Sequence, residues 1–453
     1  MSLDLKNLIK KEYGFNVIDI DKFKGYENDN YFVKTDKDKL ILKLYSDLSI
    51  NSTLKAENDF LLFLQKKDKK EYYPKPIPLK NGEYVKQLIH QGKKILIRML
   101  SYLEGDFIAE CKISNNIISS LGSFLANFNL LTRNWNNSDV KAREWEWKIE
   151  CIELIKNRAN YISDPFLRNR VIYFIQQYEE NIVPLYDDLR KSIIHNDANH
   201  WNVIVEKDKI NGLIDFGDIS YSNLVNEVAI AMTYIAYNKE DVLYWTGILL
   251  ESYNKVLPLK MKEVESLYYI IALRLCMSLS NSAFTKLNQP NNNYVSEGNE
   301  NAWNLLDKWF LLGPIKVTNY YLKMTGFSIK KQMKEKKYIE KRQKYLSKIL
   351  SLSYKSPIVM GQSAFQYMYD IYGNTFLDAY NNIPHVGHSH PIILEAAKKQ
   401  MSKLNTNTRY LYSKINDYAE HLLSYFPSQL NKIFFVNSGS EASDLAIRMA
   451  KAH

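Results

Sequence analysis

Cysteine is scarce in this chain. Cys111, Cys151 and Cys276 are the three among 453 residues, and no C-x-x-C pair occurs, which excludes a disulfide framework. Long apolar runs are also missing: the longest, such as Val228 to Ala236, stop far short of the ~20 residues that cross a bilayer. The opening MSLDLKNLIKKEYG carries charges throughout and has no apolar core of signal-peptide length. A cytoplasmic, reduced protein without a membrane partner is therefore expected. No internal repeat and no low-complexity tail is visible. What is present is ordinary globular composition, 46% hydrophobic and 24% charged. At about 150 residues per domain, the length predicts two or three domains with a large buried core.

The net charge of +10 raises the question of nucleic-acid binding. Its location argues against that partner. The stretch FSIKKQMKEKKYIEKRQKYLSK, from Phe327 to Lys348, holds nine Lys or Arg against two Glu, so most of the excess is local. Its helix-forming residues and Glu/Lys spacing predict a solvated linker helix.

Along the chain, the first 45 residues read as strands: NVIDIDKF, NYFVKTDKD and KLILKLYS, separated by turn-like segments. A helix is predicted from about Leu54 to Gln65. Asn81-Gly82 predicts a hairpin between PIPLK and EYVKQLIH, and KKILIRMLSYLEG reads as a further strand. Helical patterns dominate from Ile113 to Tyr186, short strands return at SIIH, NVIVE and NGLIDF, and helices fill Asn223 to Lys308. The predicted organisation is an α/β (α+β) chain: a strand-rich lobe over 1–103, a helix-rich lobe over 104–326, a basic linker over 327–356 and a further segment over 357–453.

One segment carries the chemistry. IIHNDANHWNVIVEKDKINGLIDFGD places His195, Asp197 and Asn202 in the order H-x-D-x-x-x-x-N, followed by Asp215-Phe-Gly. Phosphoryl transfer needs a carboxylate near the attacking hydroxyl and oxygen ligands that hold magnesium against nucleotide phosphates. Asp197 is the candidate for the first task. Asn202, on the same loop, and Asp215, after a buried-strand pattern, are candidates for the second. Loop Asp and Asn residues usually cap helices or make turns, but three at these spacings, each beside an apolar strand-like run, favour a site.

These residues resemble the aminoglycoside phosphotransferase and choline kinase group, relatives of protein kinases that act on small-molecule hydroxyls. The resemblance extends from about residue 1 to residue 326. It implies a bilobal, protein-kinase-like fold with Mg2+ and ATP or GTP between the lobes. It also implies that Lys43 in LILKLYS pairs with the α- and β-phosphates and that Glu57 is the ion-pair partner of Lys43. Gly25-Tyr-Glu-Asn-Asp-Asn30 fills the place of the phosphate loop with a single glycine, so Asn28 and Asn30 would contribute side-chain contacts. Arg98 to Tyr102 would form the hinge against the purine. Trp145, Glu146 and Trp147, in a helical pattern, are candidates for an aromatic-carboxylate wall that suits a cationic amino alcohol.

From Pro357 onward the chain resembles the N-terminal part of class III aminotransferases, a truncated fold-type I segment of the pyridoxal-phosphate enzymes. The matching runs are YDIYGNTFLDAYNNIPHVGHSHP, NTNTRYLYS and FFVNSGSEASDLAIRMAKAH. Within this match His385, His388 and His390 read as turn residues rather than metal ligands. Gly439 and Ser440 open a helix whose free backbone N–H groups and hydroxyl suit the cofactor phosphate. Ser443 stands where that family more often carries Asn. Lys451, the only lysine after this turn, lies on the same helix and so cannot be the Schiff-base residue. Pyridoxal phosphate is thus expected only in a full-length family context, as is a homodimer through a complete aminotransferase-like part. The expectation is a piece of a longer fusion, with the last segment short of a packing partner.

Joined in this way, the two resemblances imply a kinase acting on a small amino alcohol or hydroxy-amino acid, coupled to a phospholyase. The alternative is a class III aminotransferase-family protein with a regulatory or binding-only, pseudokinase N-terminal domain. The intact Lys43, Asp197, Asn202 and Asp215 argue against that alternative.

Overall fold

The chain begins with a helix where strands were expected. In the computed structural model, which describes residues 2–23, 29–68, 70–90, 92–288, 299–329, 335–380, 385–407 and 409–453, α1 spans Ser2–Glu12. Leu5, Ile9 and Tyr13 recur every fourth residue and are all buried, a helical stripe that the intervening charges obscure in the sequence. The strands β1 (Val17–Lys22), β2 (Asp29–Thr35) and β3 (Lys39–Tyr45) follow, then α2 (Asn51–Lys67), β4 (Pro76–Ile77), β5 (Lys86–His90) and β6 (Lys93–Ser101). They form one antiparallel sheet in the order β1-β2-β3-β6-β4, with β5 also on β6. The expected hairpin at Asn81-Gly82 is a tight turn only, closed by Gly82 N–H to Leu79 O at 2.9 Å. β4 and β5 do not pair with each other. Each takes a different stretch of the longer β6, Pro76 opposite Leu100 and Lys86 opposite Ile97.

Beyond Ser101 the chain crosses to a helical lobe through β7 (Asp106–Phe107), which pairs with a strand of that lobe. Gly105 (φ +130°) makes the crossing possible, because a Cβ there would come within 2.6 Å of the Val205 carbonyl oxygen. The lobe comprises α3 (Asn115–Thr132), α4 (Ser138–Ala142), α5 (Ile152–Ala159) and α6 (Pro165–Asn181), then β8 (Lys191–Ile194), β9 (Val203–Glu206), β10 (Lys209–Leu213) and β11 (Ser220–Asn223). α7 (Val225–Ile235), α8 (Val242–Val256), α9 (Met261–Asn288), α10 (Asn299–Leu312) and α11 (Pro314–Met324) complete it. β9 lies between β10 and β7, and β8 pairs with β11. These short pairs present two loops, β8–β9 and β10–β11, side by side. α9 is long and apolar enough to cross a membrane, yet 83% of its apolar window is buried inside the protein. It is the spine of the core, flanked by Val264, Leu267, Ile271, Leu275 and Leu279 against the surrounding helices.

α12 (Glu335–Tyr345), in the basic stretch, buries no residue, as a solvated helix should. The meander β12 (Met360–Ala364), β13 (Tyr367–Asp370) and β14 (Thr375–Leu377) follows it. The boundary expected at Pro357 is not where packing divides the chain: one compact unit runs from Met1 to Ile392 and a second from Ile393 to His453. Ala364, Phe365 and Tyr369 are buried in the same hydrophobic cluster as Tyr173, Phe174 and Phe310. The Tyr369 hydroxyl donates to Phe310 O at 2.8 Å. Gly313 accommodates the ring, since a Cβ there would lie 2.6 Å from it. The second unit carries most of α13 (Pro391–Met401), and α14 (Ser413–Leu423) and α15 (Gly439–Ala452). None of its described residues is buried.

Tyr369→Ala should therefore destabilise the Met1–Ile392 unit by about 3–5 kcal/mol, the usual cost of deleting a buried aromatic ring. Chemical denaturation of the full chain measures this; a loss well under 1 kcal/mol would show that the meander is not part of that core.

Candidate active site

Strand register sets the first half of the site. Lys43 on β3 faces Asn30 on β2 and Arg98 on β6. Directly opposed residues on antiparallel strands share a face, so two cations and an amide stand in a row. Two neighbouring cations are tolerable only if each has its own carboxylate. Lys43 Nζ lies 3.2 Å from Asp215 Oδ1, and Arg98 Nη2 lies 2.7 Å from Glu57 Oε1. Glu57 is thus not the direct partner of Lys43, contrary to the sequence expectation. The guanidinium of Arg98, 1% exposed, takes that carboxylate as its fork requires. Arg98 is consequently a buried structural cation rather than a hinge residue. Burial, the largest single influence, works against the charge of Lys43, but Asp215, Tyr45 and Glu57 together outweigh it and the ammonium is raised above its ordinary range. Asn28 lies outside the described residues, and Asn30 is placed beside Lys43.

The second half comes from the loops at the ends of β8 to β11. Asp215 adopts φ +61°, ψ +74°, and Asn196 adopts φ +68°. Left-handed backbone at non-glycine residues clusters where a site constrains the chain. His195 braces the two loops. Its Nδ1 accepts from Asp197 N–H at 3.3 Å, so Nε2 carries the proton and donates to Ile214 O at 2.9 Å. Burial depresses this imidazole to about 4, keeping it neutral. Beneath it the fully buried Glu227 accepts from His195 N–H at 2.7 Å, and burial pushes its carboxyl up to about 7.

Asp197 is held on both oxygens. Asn199 Nδ2 (2.7 Å) and Asn202 Nδ2 (2.8 Å) donate to Oδ2, and Arg274 Nη2 (2.8 Å) donates to Oδ1. Burial raises Asp197 to about 6, with Arg274 opposing and Asp215 adding to the shift. The Lys43 ammonium holds Asp215 below the usual carboxylate range. Asp218 is raised well above it, first by burial and then by the two neighbouring carboxylates. Asn202, turning its amide nitrogen to Asp197, directs its carbonyl oxygen the other way. Together with Asp215 it offers the hard oxygen donors that Mg2+ takes alongside phosphate oxygens and water. This donor set fits the metal. Among the described residues no group of three or more His, Cys, Asp or Glu could hold an ion unaided.

Trp145, Glu146 and Trp147 occupy turns between α4 and α5, not a helix. Packing overrides their periodicity: Arg143 covers the Trp145 ring at 4.1 Å, Arg158 pairs with Glu146 at 2.5 Å, and Asn196 Nδ2 donates to Trp147 O. The Glu146 carboxylate is therefore already engaged. Trp147 does border the site, 5.2 Å from the Arg274 guanidinium. Arg274 and Glu227 escaped the sequence reading, although a signal existed. Arg274 is the single charged residue between Glu265 and Lys286 in an apolar helix, and such a residue must be paired. Toward the end of the first unit, His388 Nε2 lies 2.8 Å from Asp378 Oδ2, and His390 Nε2 lies 3.3 Å from Asn169 Nδ2; neither histidine belongs to a metal cluster among the described residues. Ser438 caps α15 by accepting from Glu441 N–H, and Glu441 returns to Asn437 N–H. Gly439 and Ser440 form the first turn, as expected.

A carboxylate braced for an acceptor, a second carboxylate against a strand lysine, and a two-lobed framework define a small-molecule phosphotransferase of the kinase-like class. The chain belongs to the phosphotransferase enzyme family, whose model matches residues 22–250. Residues 351–453 match the class-III aminotransferase family. Hydroxylysine kinase of Xenopus laevis is 25% identical over 323 residues, covering 65% of this chain and 86% of that protein. Ethanolamine-phosphate phospho-lyase homolog 1 of Caenorhabditis elegans is 40% identical over 123 residues, which span 27% of this chain and only 26% of that protein. Among solved structures, amicoumacin kinase in complex with AMP-PNP and Ca2+ superposes with a TM-score of 0.52 at 19% identity, over 72% of this chain and 95% of that one, a likeness of fold.

Glu57→Ala should cost about 3–5 kcal/mol by leaving Arg98 buried and unpaired. Arg98→Met combined with Glu57→Met should recover most of that loss in thermal or denaturant unfolding. A single variant as stable as the parent would remove the pair from the core.

Proposed function

We propose that this chain moves the γ-phosphoryl group of ATP or GTP, with Mg2+, to the hydroxyl of a small amino alcohol or hydroxy-amino acid. The observation that carries the reading is the held Asp197 carboxylate, placed beside the oxygen donors Asn202 and Asp215 and across from Lys43. Asp197 orients the acceptor hydroxyl and takes its proton as the O–P bond forms. Lys43, shared with Asp215 before nucleotide enters, meets the phosphates; Asn30, on the same face, adds an amide. Asn202 and Asp215 hold the metal, which, when bound, neutralises charge on the β- and γ-phosphates. Phe32, in edge contact with Tyr102 at 5.2 Å, supplies an apolar wall where the purine would lie. The similarity to hydroxylysine kinase over most of its length, and of the C-terminal segment to a phospho-lyase homologue, supports an amine-bearing acceptor whose phosphate ester is a substrate for elimination. Gly439 and Ser440 are the residues that would meet the phosphate of pyridoxal phosphate, and no catalytic step is assigned to them in this chain.

Coupled nucleotide consumption against ethanolamine, choline, hydroxylysine, homoserine and an aminoglycoside tests the acceptor class; turnover only with the aminoglycoside would overturn it. Asp215→Ala should abolish metal-dependent nucleotide binding, read by calorimetry with and without Mg2+. Asp197→Asn should leave that binding near the parent's and lower turnover by roughly 10²–10⁴. Because the ionised carboxylate is the active form, kcat/KM should fall as pH drops through about 6, the value at which Asp197 protonates. A profile flat from pH 5 to 8 would remove Asp197 as the base.

A further inference from the structure

We infer that a cavity on the far side of α9 from Asp197 binds a small primary amine, held as its ammonium ion against Glu265. The cavity lies within the first compact unit, between α9 and α11, with Asn181 of α6 and Gln362 of β12 completing its wall. Its volume is about 510 Å³, within the range of small-molecule sites. Met261, Glu265 and Tyr269 recur at every fourth residue of α9, and Ile315, Asn319 and Leu322 share one face of α11. Arg274, the partner of Asp197, stands nine residues beyond Glu265 on the same helix. Nine residues make two and a half turns and about 14 Å of rise, so the two side chains leave α9 on opposite faces. Both helical walls fall between the family matches, residues 22–250 and 351–453, and belong to the motifs of neither.

The lining sets the charge of the ligand. Glu265 is the one charged side chain among the described residues of the wall. No described cation or hydrogen-bond donor engages its carboxylate. It is half-buried, so its charge is partly withdrawn from water and gains from a cation brought to it. An anion would meet that carboxylate with no Lys or Arg in the wall to offset it. Thr318, Asn319 and Gln362 supply oxygens that accept the remaining ammonium N–H groups. Gln362 is itself tied to the Tyr269 hydroxyl. Gly361 lets β12 approach this closely, since a Cβ there would lie 3.0 Å from Ile315 Cδ1. Met261, Ile315 and Leu322 offer apolar contact to the hydrocarbon of the ligand.

The test is a titration of the full chain with n-butylamine, which has no hydroxyl to phosphorylate, against n-butanol and butyrate, read by calorimetry or NMR. The amine should bind with a Kd of roughly 0.1–10 mM, as suits so small a ligand. Butanol and butyrate should bind at least about tenfold more weakly, and Glu265→Gln should weaken the amine by about 10- to 100-fold, the effect of losing a charged hydrogen bond. Asn319→Trp, which fills the cavity, should weaken it comparably, and it carries the test if Glu265→Gln does not fold. Both variants should turn over acceptor at the parent's rate, because Asp197 and Arg274 stand beyond the opposite face of α9. Amine binding undetected up to about 10 mM, binding unchanged in the variants, or butyrate bound as tightly as the amine overturns the inference. Turnover lost in parallel with amine binding would place the amine in the active site and overturn it too. A parent that binds the amine through Glu265 yet turns over no acceptor overturns the phosphotransferase reading and leaves this inference standing.

Discussion

A charge taken out of water must meet an opposite charge or a set of hydrogen bonds, and the architecture of this protein follows from that requirement. Three cations are sunk into the body around the site: Lys43, Arg98 and Arg274. Each is answered by a different carboxylate, Asp215, Glu57 and Asp197 respectively. The six residues come from β3, β6, α2, α9 and the two loops beside β8 to β11. Each pair ties together elements that are far apart in the sequence. The apolar core gives the lobes their stability, but these pairs fix how α2 and α9 approach the sheet edges.

The loops themselves are held by neutral groups. His195, kept uncharged by burial, links the Asp197 backbone to Ile214, and Glu227 receives the His195 amide from below. Ile214 N–H in turn donates to Asn202 O at 2.9 Å. The carboxylate and the two oxygen donors are thus locked to one another through backbone as well as side chains. Preorganised polar groups of this kind need little rearrangement when charge develops in the transition state.

Two families meet in this chain, yet their sequence boundary is not a packing boundary. The class-III aminotransferase match begins at residue 351, while the first compact unit extends through Ile392. Tyr369 and Phe365 explain the difference, since the helical lobe offers Phe310, Tyr173 and the gap at Gly313 into which they fit. The meander buries its apolar side there. Farther along, α14 and α15 are amphipathic helices with no buried residue, so their apolar faces find no counterpart within the second unit.

The sequence by itself determined, apart from α1, the succession of strand-rich and helix-rich segments, the placing of Asp197, Asn202 and Asp215 in loops beside short strands, and the helix opening at Gly439. These are local: spacing along one loop or periodicity along one element is enough to write them. Tertiary structure alone decided the partners. That Lys43 stands opposite Arg98 is a matter of register, and that Glu57 goes to the arginine follows from which cation is more deeply buried. The helical pattern of Trp145 to Trp147 gave way to turns because Arg143 and Arg158 hold those side chains from outside the segment. β4 and β5 joined β6 instead of each other because its length served both. The pairing of Arg274 with Asp197 spans 77 residues. Long-range pairing is set by the whole packed chain, and a one-dimensional pattern records only that a lone buried charge must find a partner, not which one.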